Sequence, residues 1–144
     1  MNLNDVLAQA PRRTSTESFK GLFEVETLLT TNEEIKAALK AAAAEKLNPQ
    51  TGGYETEIDQ DRLRAWLKSR VAGFNGLTLR RALTLCCRSV PDEHLDGADA
   101  PLAYSAETVD TLLRLVVGLQ TWLMGQLSTA AESVARREAD AAKN

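Results

Sequence analysis

The stretch from residue 105 to about residue 135 constrains the fold more than any other part of the chain. Its apolar residues recur every three or four positions, a spacing that places side chains on one face of an α-helix. The stripe comprises Val109, Leu112, Leu113, Val116, Leu119, Leu123, Leu127, Ala130 and Val134, with Leu115 and Trp122 widening it. Because so broad an apolar face must be covered, the sequence predicts a long helix packed against other elements or a partner.

The composition favours helices throughout the chain. Alanine and leucine dominate the apolar residues, whereas aromatic residues make up only 5% of the sequence. Alanine and leucine are strong helix formers, while strands prefer β-branched and aromatic residues. The length of 144 residues is typical of one domain. We therefore expect an all-α protein, a small helical bundle of three to five helices with an extended N-terminal arm.

The chain divides into three regions on this interpretation. Residues 1–20 are predicted to form a flexible N-terminal arm, because Pro11 interrupts a short apolar pattern and a basic, Ser/Thr-rich run follows. Residues 21–135 are predicted to form a single helical domain. Residues 136–144 no longer carry the apolar stripe, so we expect a frayed C-terminal tail.

Capping and breaker residues predict the other helices. Thr31 and Glu34 have the spacing of a capping box, at the start of a helix that continues to about residue 47. A second helix is predicted over residues 59–72. A third starts near residue 78, carries the two cysteines on its apolar stripe, and ends before Pro91.

One short segment has the alternation of a strand. In residues 22–29, LFEVETLL, the side chains of Phe23, Val25, Thr27 and Leu29 share one side. A single strand is not stable alone, so this segment must pair within the chain or with another molecule.

The overall charge disfavours some partners. A net charge of −3 and a pI near 5.2 provide no general attraction to nucleic acid or to an anionic membrane. We find no apolar stretch that suggests a signal peptide or a membrane span. Two adjacent cysteines without an export signal point to a reducing cytoplasm.

The stretch LTLCCRSVPDEHLDG concentrates the residues with catalytic or metal-binding chemistry. The chain has two cysteines and one histidine, fewer than the four ligands of a usual zinc site. Cys86 and Cys87 continue the stripe of the third helix, so both are predicted to face the core. Nucleophilic catalysis by Cys86 or Cys87 with His94 is the more specific alternative. However, Pro91 ends the helix between the cysteines and the histidine. We predict no catalytic, cofactor-binding or metal-binding residue.

A second alternative is a small DNA-binding regulator. GFNG, residues 73–76, is predicted to be a tight turn between two helices, as in a helix-turn-helix. The following helix supplies Arg80, Arg81 and Arg88 as donors but uses its apolar stripe for the core. The sequence therefore disfavours nucleic acid as a partner.

Three segments follow one another in an order that resembles the tail assembly chaperones of long-tailed bacteriophages. They are FEVETLLTTNEE (23–34), RALTLCCRSVPDEHLDGADAPLAY (81–104) and SAETVDTLLRLV (105–116). In that family an extended segment leads into an acidic helix start, then a central helix, an Asp/Gly loop and an acid-capped, Leu-rich helix. The alanine run, the cysteine pair and the very apolar last helix depart from this pattern. They leave open another phage structural or accessory assembly protein.

The resemblance implies a non-enzymatic protein that coats the tape measure protein in the host cytoplasm, self-associates, and leaves before the tail matures. A lone strand and an apolar helix also suit a protein that buries surface against a partner. For the apolar residues of the long helix, burial in the core of the same chain is an alternative of at least equal weight to partner binding. The predicted partner-binding residues are Phe23, Val25, Leu29, Leu112, Leu115, Leu119, Trp122 and Leu123.

Overall fold

The computed structural model describes residues 2–143, which form six α-helices, five strands and one 3₁₀ helix. The α-helices are α1 (Leu3–Gln9), α2 (Asn32–Ala42), α3 (Gln60–Arg70), α4 (Leu79–Leu85), α5 (Ala106–Leu115) and α6 (Leu119–Lys143). The strands are β1 (Thr14–Phe19), β2 (Phe23–Leu28), β3 (Ala43–Leu47), β4 (Tyr54–Ile58) and β5 (Val71–Asn75). The 3₁₀ helix spans Asp92–Gly97.

The all-α prediction is wrong, because the protein has a mixed α/β fold rather than a helical bundle. It is 54% helical and 20% strand, with two antiparallel sheets of three and two strands. The larger sheet has the order β1-β2-β5, and the smaller one is the β3-β4 hairpin. Sequence periodicity missed four of the five strands because they are short and lack a clear apolar alternation.

Strand β2 is the central strand of the larger sheet and confirms the predicted strand. It pairs antiparallel with β1 on one side and with β5 on the other. Phe23, Val25 and Thr27 are buried on one face, as the alternation predicted. The partners that this strand required therefore lie within the chain.

Strand β1 comes from the region predicted to be a flexible arm. Its residues Thr14–Phe19 form an edge of the larger sheet, and Phe19 is only 1% exposed. The predicted division at residue 20 thus falls inside a β-hairpin, between β1 and β2.

Helix starts were predicted well, but three helix ends were not. Thr31 and Glu34 form the expected capping box, and Asp59, Thr78 and Ser105 each cap the following helix. The first predicted helix stops at Ala42, and the chain continues as β3. Residues 71–75 form β5, so GFNG does not act as a simple turn between two helices.

The third predicted helix ends earlier than Pro91, in a Schellman motif. The backbone N–H of Arg88 donates to the carbonyl of Leu83, and that of Cys87 donates to the carbonyl of Thr84. Cys87 has a positive φ of 59° at the position where glycine is usual. The predicted long helix is also divided, because residues 116–118 separate α5 from α6.

One hydrophobic core joins the larger sheet to the helices. The centre of this core includes three side chains that are at most 1% exposed, Leu67 of α3 and Leu123 and Leu127 of α6. The ring of Phe19 in β1 packs edge-on against Trp122 of α6, with centroids 5.2 Å apart. Helix α6 therefore packs against the larger sheet and contributes to the core that the sheet shares with the other helices.

Candidate partner-binding surfaces

The structure separates the eight predicted partner-binding residues into core and surface. Trp122 and Leu29 are partly buried, and Leu115 is 47% exposed. The remaining five are at most 5% exposed, namely Phe23, Val25, Leu112, Leu119 and Leu123. In this conformation those five contact the chain's own core, and their binding to a partner stays a prediction.

Helix α1 presents three exposed apolar side chains on one face. Leu3, Val6 and Leu7 lie at helical spacing and are 69%, 41% and 60% exposed. The side chain of Asn2 caps the helix by accepting a hydrogen bond from the N–H of Asn4 at 2.9 Å. A helix of seven residues is marginal in water without packing. We define Leu3, Val6 and Leu7 as the α1 face.

The α1 face is held next to the folded domain by the segment that follows it. Arg12 donates to the carbonyl of Leu29 at 2.8 Å and to the carboxylate of Glu34. The backbone N–H of Leu29 donates to the carbonyl of Arg13, also at 2.8 Å. The helix therefore departs from a fixed point on the domain, while every residue of α1 is itself exposed.

The β3-β4 hairpin carries a second pair of exposed apolar residues. Leu47 and Tyr54 are paired across the two strands beside the turn, and they are 53% and 72% exposed. Among the strand residues of this hairpin, only Ala43, Ala44 and Ile58, at its base, are partly buried. The sequence signal for this surface was weak, since the residues before the turn continue an alanine-rich, helix-favouring run.

The junction between α5 and α6 is a third exposed apolar site. Val117 is 87% exposed there and lies two residues from Leu115. The side-chain amide of Gln120 donates to Gln60 at 2.8 Å, which places the start of α6 beside the start of α3. Helix α3 directly follows the hairpin, so the junction and the base of the hairpin lie at the same end of the domain.

The two cysteines differ in burial, and the histidine lies on a separate element. Cys86 is partly buried, and burial, followed by the neighbouring Cys87, raises the pKa of its thiol. A raised pKa keeps the thiol protonated, and the protonated form is a poor nucleophile. Cys87 is exposed rather than core-facing, because α4 ends one residue before Cys86. His94 is exposed on the 3₁₀ helix.

Residues 2–143 hold neither a metal-binding cluster nor a membrane-spanning helix. Within this range no group of three or more His, Cys, Asp or Glu residues is arranged to hold a metal ion. None of the helices in the same range has the length and apolar character needed to cross a bilayer.

Two of the three arginines considered for DNA binding, Arg80 and Arg81, donate hydrogen bonds within the chain. Arg80 donates to the carboxylate of Asp99 at 2.8 Å, and this contact raises the pKa of Arg80 and lowers that of Asp99. Arg81 donates to the backbone carbonyls of Leu22 and Gly76. Strand β5 also separates α3 from α4. This arrangement differs from a helix-turn-helix, in which a short turn joins the two helices.

Comparison of the chain with protein-family models, with curated proteins and with solved structures finds no match.

Proposed function

We propose that this protein is a non-enzymatic binding protein, and specifically a tail assembly chaperone of a long-tailed bacteriophage. In this role it holds the tape measure protein in the host cytoplasm until the tail is assembled. The observation that carries the proposal is the α1 face, where three large apolar side chains are exposed on one short helix. An amphipathic helix of this kind gains its stability by packing against an apolar partner.

The segments that resemble the chaperone family support the proposal. Residues 23–34 form β2 and the capped start of α2, and residues 81–104 include most of α4 and the 3₁₀ helix. Residues 105–116 form α5 with its Ser105 cap. The expected order of extended segment, central helix, loop and capped helix therefore has structural counterparts in this chain.

The exposed apolar sites suit a long and aggregation-prone partner. The α1 face, the hairpin tip with Leu47 and Tyr54, and the junction with Leu115 and Val117 are separate sites along the chain. Each can cover a short apolar segment of an extended polypeptide, which is what keeping such a polypeptide soluble requires.

The test is co-expression with the tape measure protein of a long-tailed phage. We expect the wild-type chain to keep the tape measure protein in the soluble fraction and to co-purify with it. The double substitution Leu3→Asp and Leu7→Asp places two charges on the α1 face, so it should shift the tape measure protein to the insoluble fraction.

A matched control is available on the same helix. Ala8→Asp and Gln9→Asp add the same two charges at exposed positions that are turned by about 100° or more around the helix from both Leu3 and Leu7. This control should retain the solubilising effect. Equal behaviour of the two double variants would show that the α1 face is not the binding site, and a wild-type chain that leaves the tape measure protein insoluble would refute the chaperone function.

A second measurement separates a chaperone from a structural tail protein. A chaperone leaves before the tail matures, so mass spectrometry of purified tails should not detect this chain. Its presence in tails at stoichiometric amounts would instead favour a phage structural protein.

A further inference from the structure

The apolar stripe of the last two helices runs without interruption through the junction that separates them. Val109, Leu112, Val116, Leu119, Leu123 and Leu127 follow one another at intervals of three or four residues. All six are at most 5% exposed. This spacing is that of one continuous helix, although the chain changes direction between α5 and α6.

The change of direction depends on a single tight turn. The N–H of Leu119 donates to the carbonyl of Val116 at 3.3 Å, and Gly118 has a φ of +83°. A bond from the first to the fourth residue, with a positive φ at the third, is typical of a type II turn. Val117 is the second residue of this turn and is 87% exposed.

The turn requires Gly118 because of its backbone conformation, and not because a side chain would lack space. A Cβ atom added at Gly118 would meet nothing within 4 Å. A non-glycine residue at φ +83° is nevertheless unfavourable, whereas the same residue fits a continuous helix. Residues 116–118 can therefore form either the observed turn or part of a straight helix, and the choice between them is local.

A straight helix would remove α6 from the core of its own chain. Leu119, Leu123 and Leu127 would become exposed, and Phe19 would lose its contact with Trp122. The vacated site has the shape and the polar contacts of α6, including the side chain of Gln60 that now binds Gln120. The segment that fills this site best is α6 of a second copy.

We propose that the protein forms a domain-swapped dimer in which α5 and α6 join into one continuous helix and each α6 packs into the core of the other copy. Every contact that α6 makes within the monomer is then made between the two copies. The equilibrium between monomer and dimer therefore depends on the conformation of the turn and on the free-energy cost of association. The proposal rests on the geometry of residues 116–118 and is independent of the tape measure protein.

The turn allows two substitutions with opposite expected effects. Gly118→Ala penalises the turn and favours the helix, so it should strengthen dimerisation by at least about tenfold. Val117→Pro should abolish the dimer, because proline is favoured at the second position of a type II turn but disrupts a helix interior. Val116 already has the extended conformation, φ −85° and ψ 115°, that a residue before proline adopts.

Gly125→Ala is the matched control for Gly118→Ala. Gly125 lies within α6, and a Cβ atom there would also meet nothing within 4 Å. This substitution raises the helix propensity of α6 to a similar degree without affecting the turn. It should leave the dissociation constant of the dimer close to that of the wild type.

The experiment is sedimentation of the four full-length chains over a concentration series, with circular dichroism to establish that each is folded. We expect a wild-type dimer whose fraction grows with concentration, more dimer for Gly118→Ala, and monomer for Val117→Pro. A wild-type chain that is monomeric at every concentration would overturn the proposal. So would a Val117→Pro chain that dimerises like the wild type, because that dimer could not contain a continuous helix. If Gly118→Ala does not fold, the comparison of wild type with Val117→Pro still tests whether the domain-swapped dimer forms.

Discussion

Arg12 and Glu34 face each other in a two-pronged ion pair. Nη1 of Arg12 donates to Oε1 of Glu34 at 2.8 Å, and Nη2 donates to Oε2 at 2.9 Å. Glu34 also accepts from the backbone N–H of Thr31 at 3.1 Å, as part of the capping box of α2. One carboxylate therefore caps a helix and fixes the point from which α1 departs.

The ion pair predicts a specific pH dependence of stability. The hydrogen bond from Arg12 is the main reason that the pKa of Glu34 is lowered from 4.5 to about 2. A lowered pKa contributes stability above pH 4.5, and this contribution is lost as the pH falls towards 2. We expect Glu34→Gln, which keeps an oxygen acceptor for the cap, to lower the free energy of unfolding at pH 7. The loss should be only about 0.5–1 kcal/mol, since both side chains are partly exposed to screening solvent.

Urea denaturation from pH 7 to pH 2 measures this effect. The difference in the free energy of unfolding between wild type and Glu34→Gln should shrink as the pH falls through this range. Glu33→Gln is the control, because Glu33 lies on the same helix turn but its side chain is 87% exposed. A difference that stays constant down to pH 2 would show that the charge of Glu34 does not stabilise the fold.

Leu123 and Leu115 should respond differently to truncation, although the sequence placed both in one candidate binding surface. Leu123 is 1% exposed in the core, so Leu123→Ala should cost about 2–5 kcal/mol of stability. Leu115 is 47% exposed, so Leu115→Ala should change stability by no more than about 0.5 kcal/mol. Thermal and urea denaturation measure both values. A large loss for Leu115→Ala would indicate that this side chain is buried in solution, as it would be in an oligomer.

This pair also shows what the sequence could and could not predict. Helical periodicity correctly identified the buried face of α6, because burial on one side imposes the pattern. Periodicity does not say what covers that face, so the core residues Leu119 and Leu123 were also assigned to a partner surface. The exposed tip of the β3-β4 hairpin escaped prediction altogether.

Local signals predicted those features whose stabilising contacts are themselves local. The caps at Thr31, Asp59, Thr78 and Ser105 each depend on residues within three positions, and helices were predicted to start at or near all four residues. Strand β5 depends instead on pairing with β2, about fifty positions earlier in the chain. The resulting sheet overrides local propensity, which is why the all-α expectation failed.

Cys87 occupies a position that favours glycine, so Cys87→Gly should stabilise the protein. Its φ of 59° at the end of α4 is unfavourable for a residue with a Cβ atom. We expect a gain of up to about 1 kcal/mol in the free energy of unfolding, measured by urea denaturation. Cys86→Gly is the control and should destabilise, since Cys86 has a negative φ of −89° and packs against the core. A loss of stability for Cys87→Gly would mean that the Cys87 side chain makes stabilising contacts.

The β3-β4 hairpin should open far more readily than the larger sheet. It is a two-stranded sheet whose residues are exposed beyond its base, and such hairpins are marginally stable alone. Strand β2, in contrast, is paired on both sides and buries Phe23 and Val25. Amide hydrogen exchange should therefore be rapid in β3 and β4 and slow in β2, because exchange through local opening needs little free energy where few apolar contacts are lost. Comparable protection of the two sheets would show that the hairpin is covered in solution. Repeating the measurement at low protein concentration would then reveal whether a second copy provides that cover.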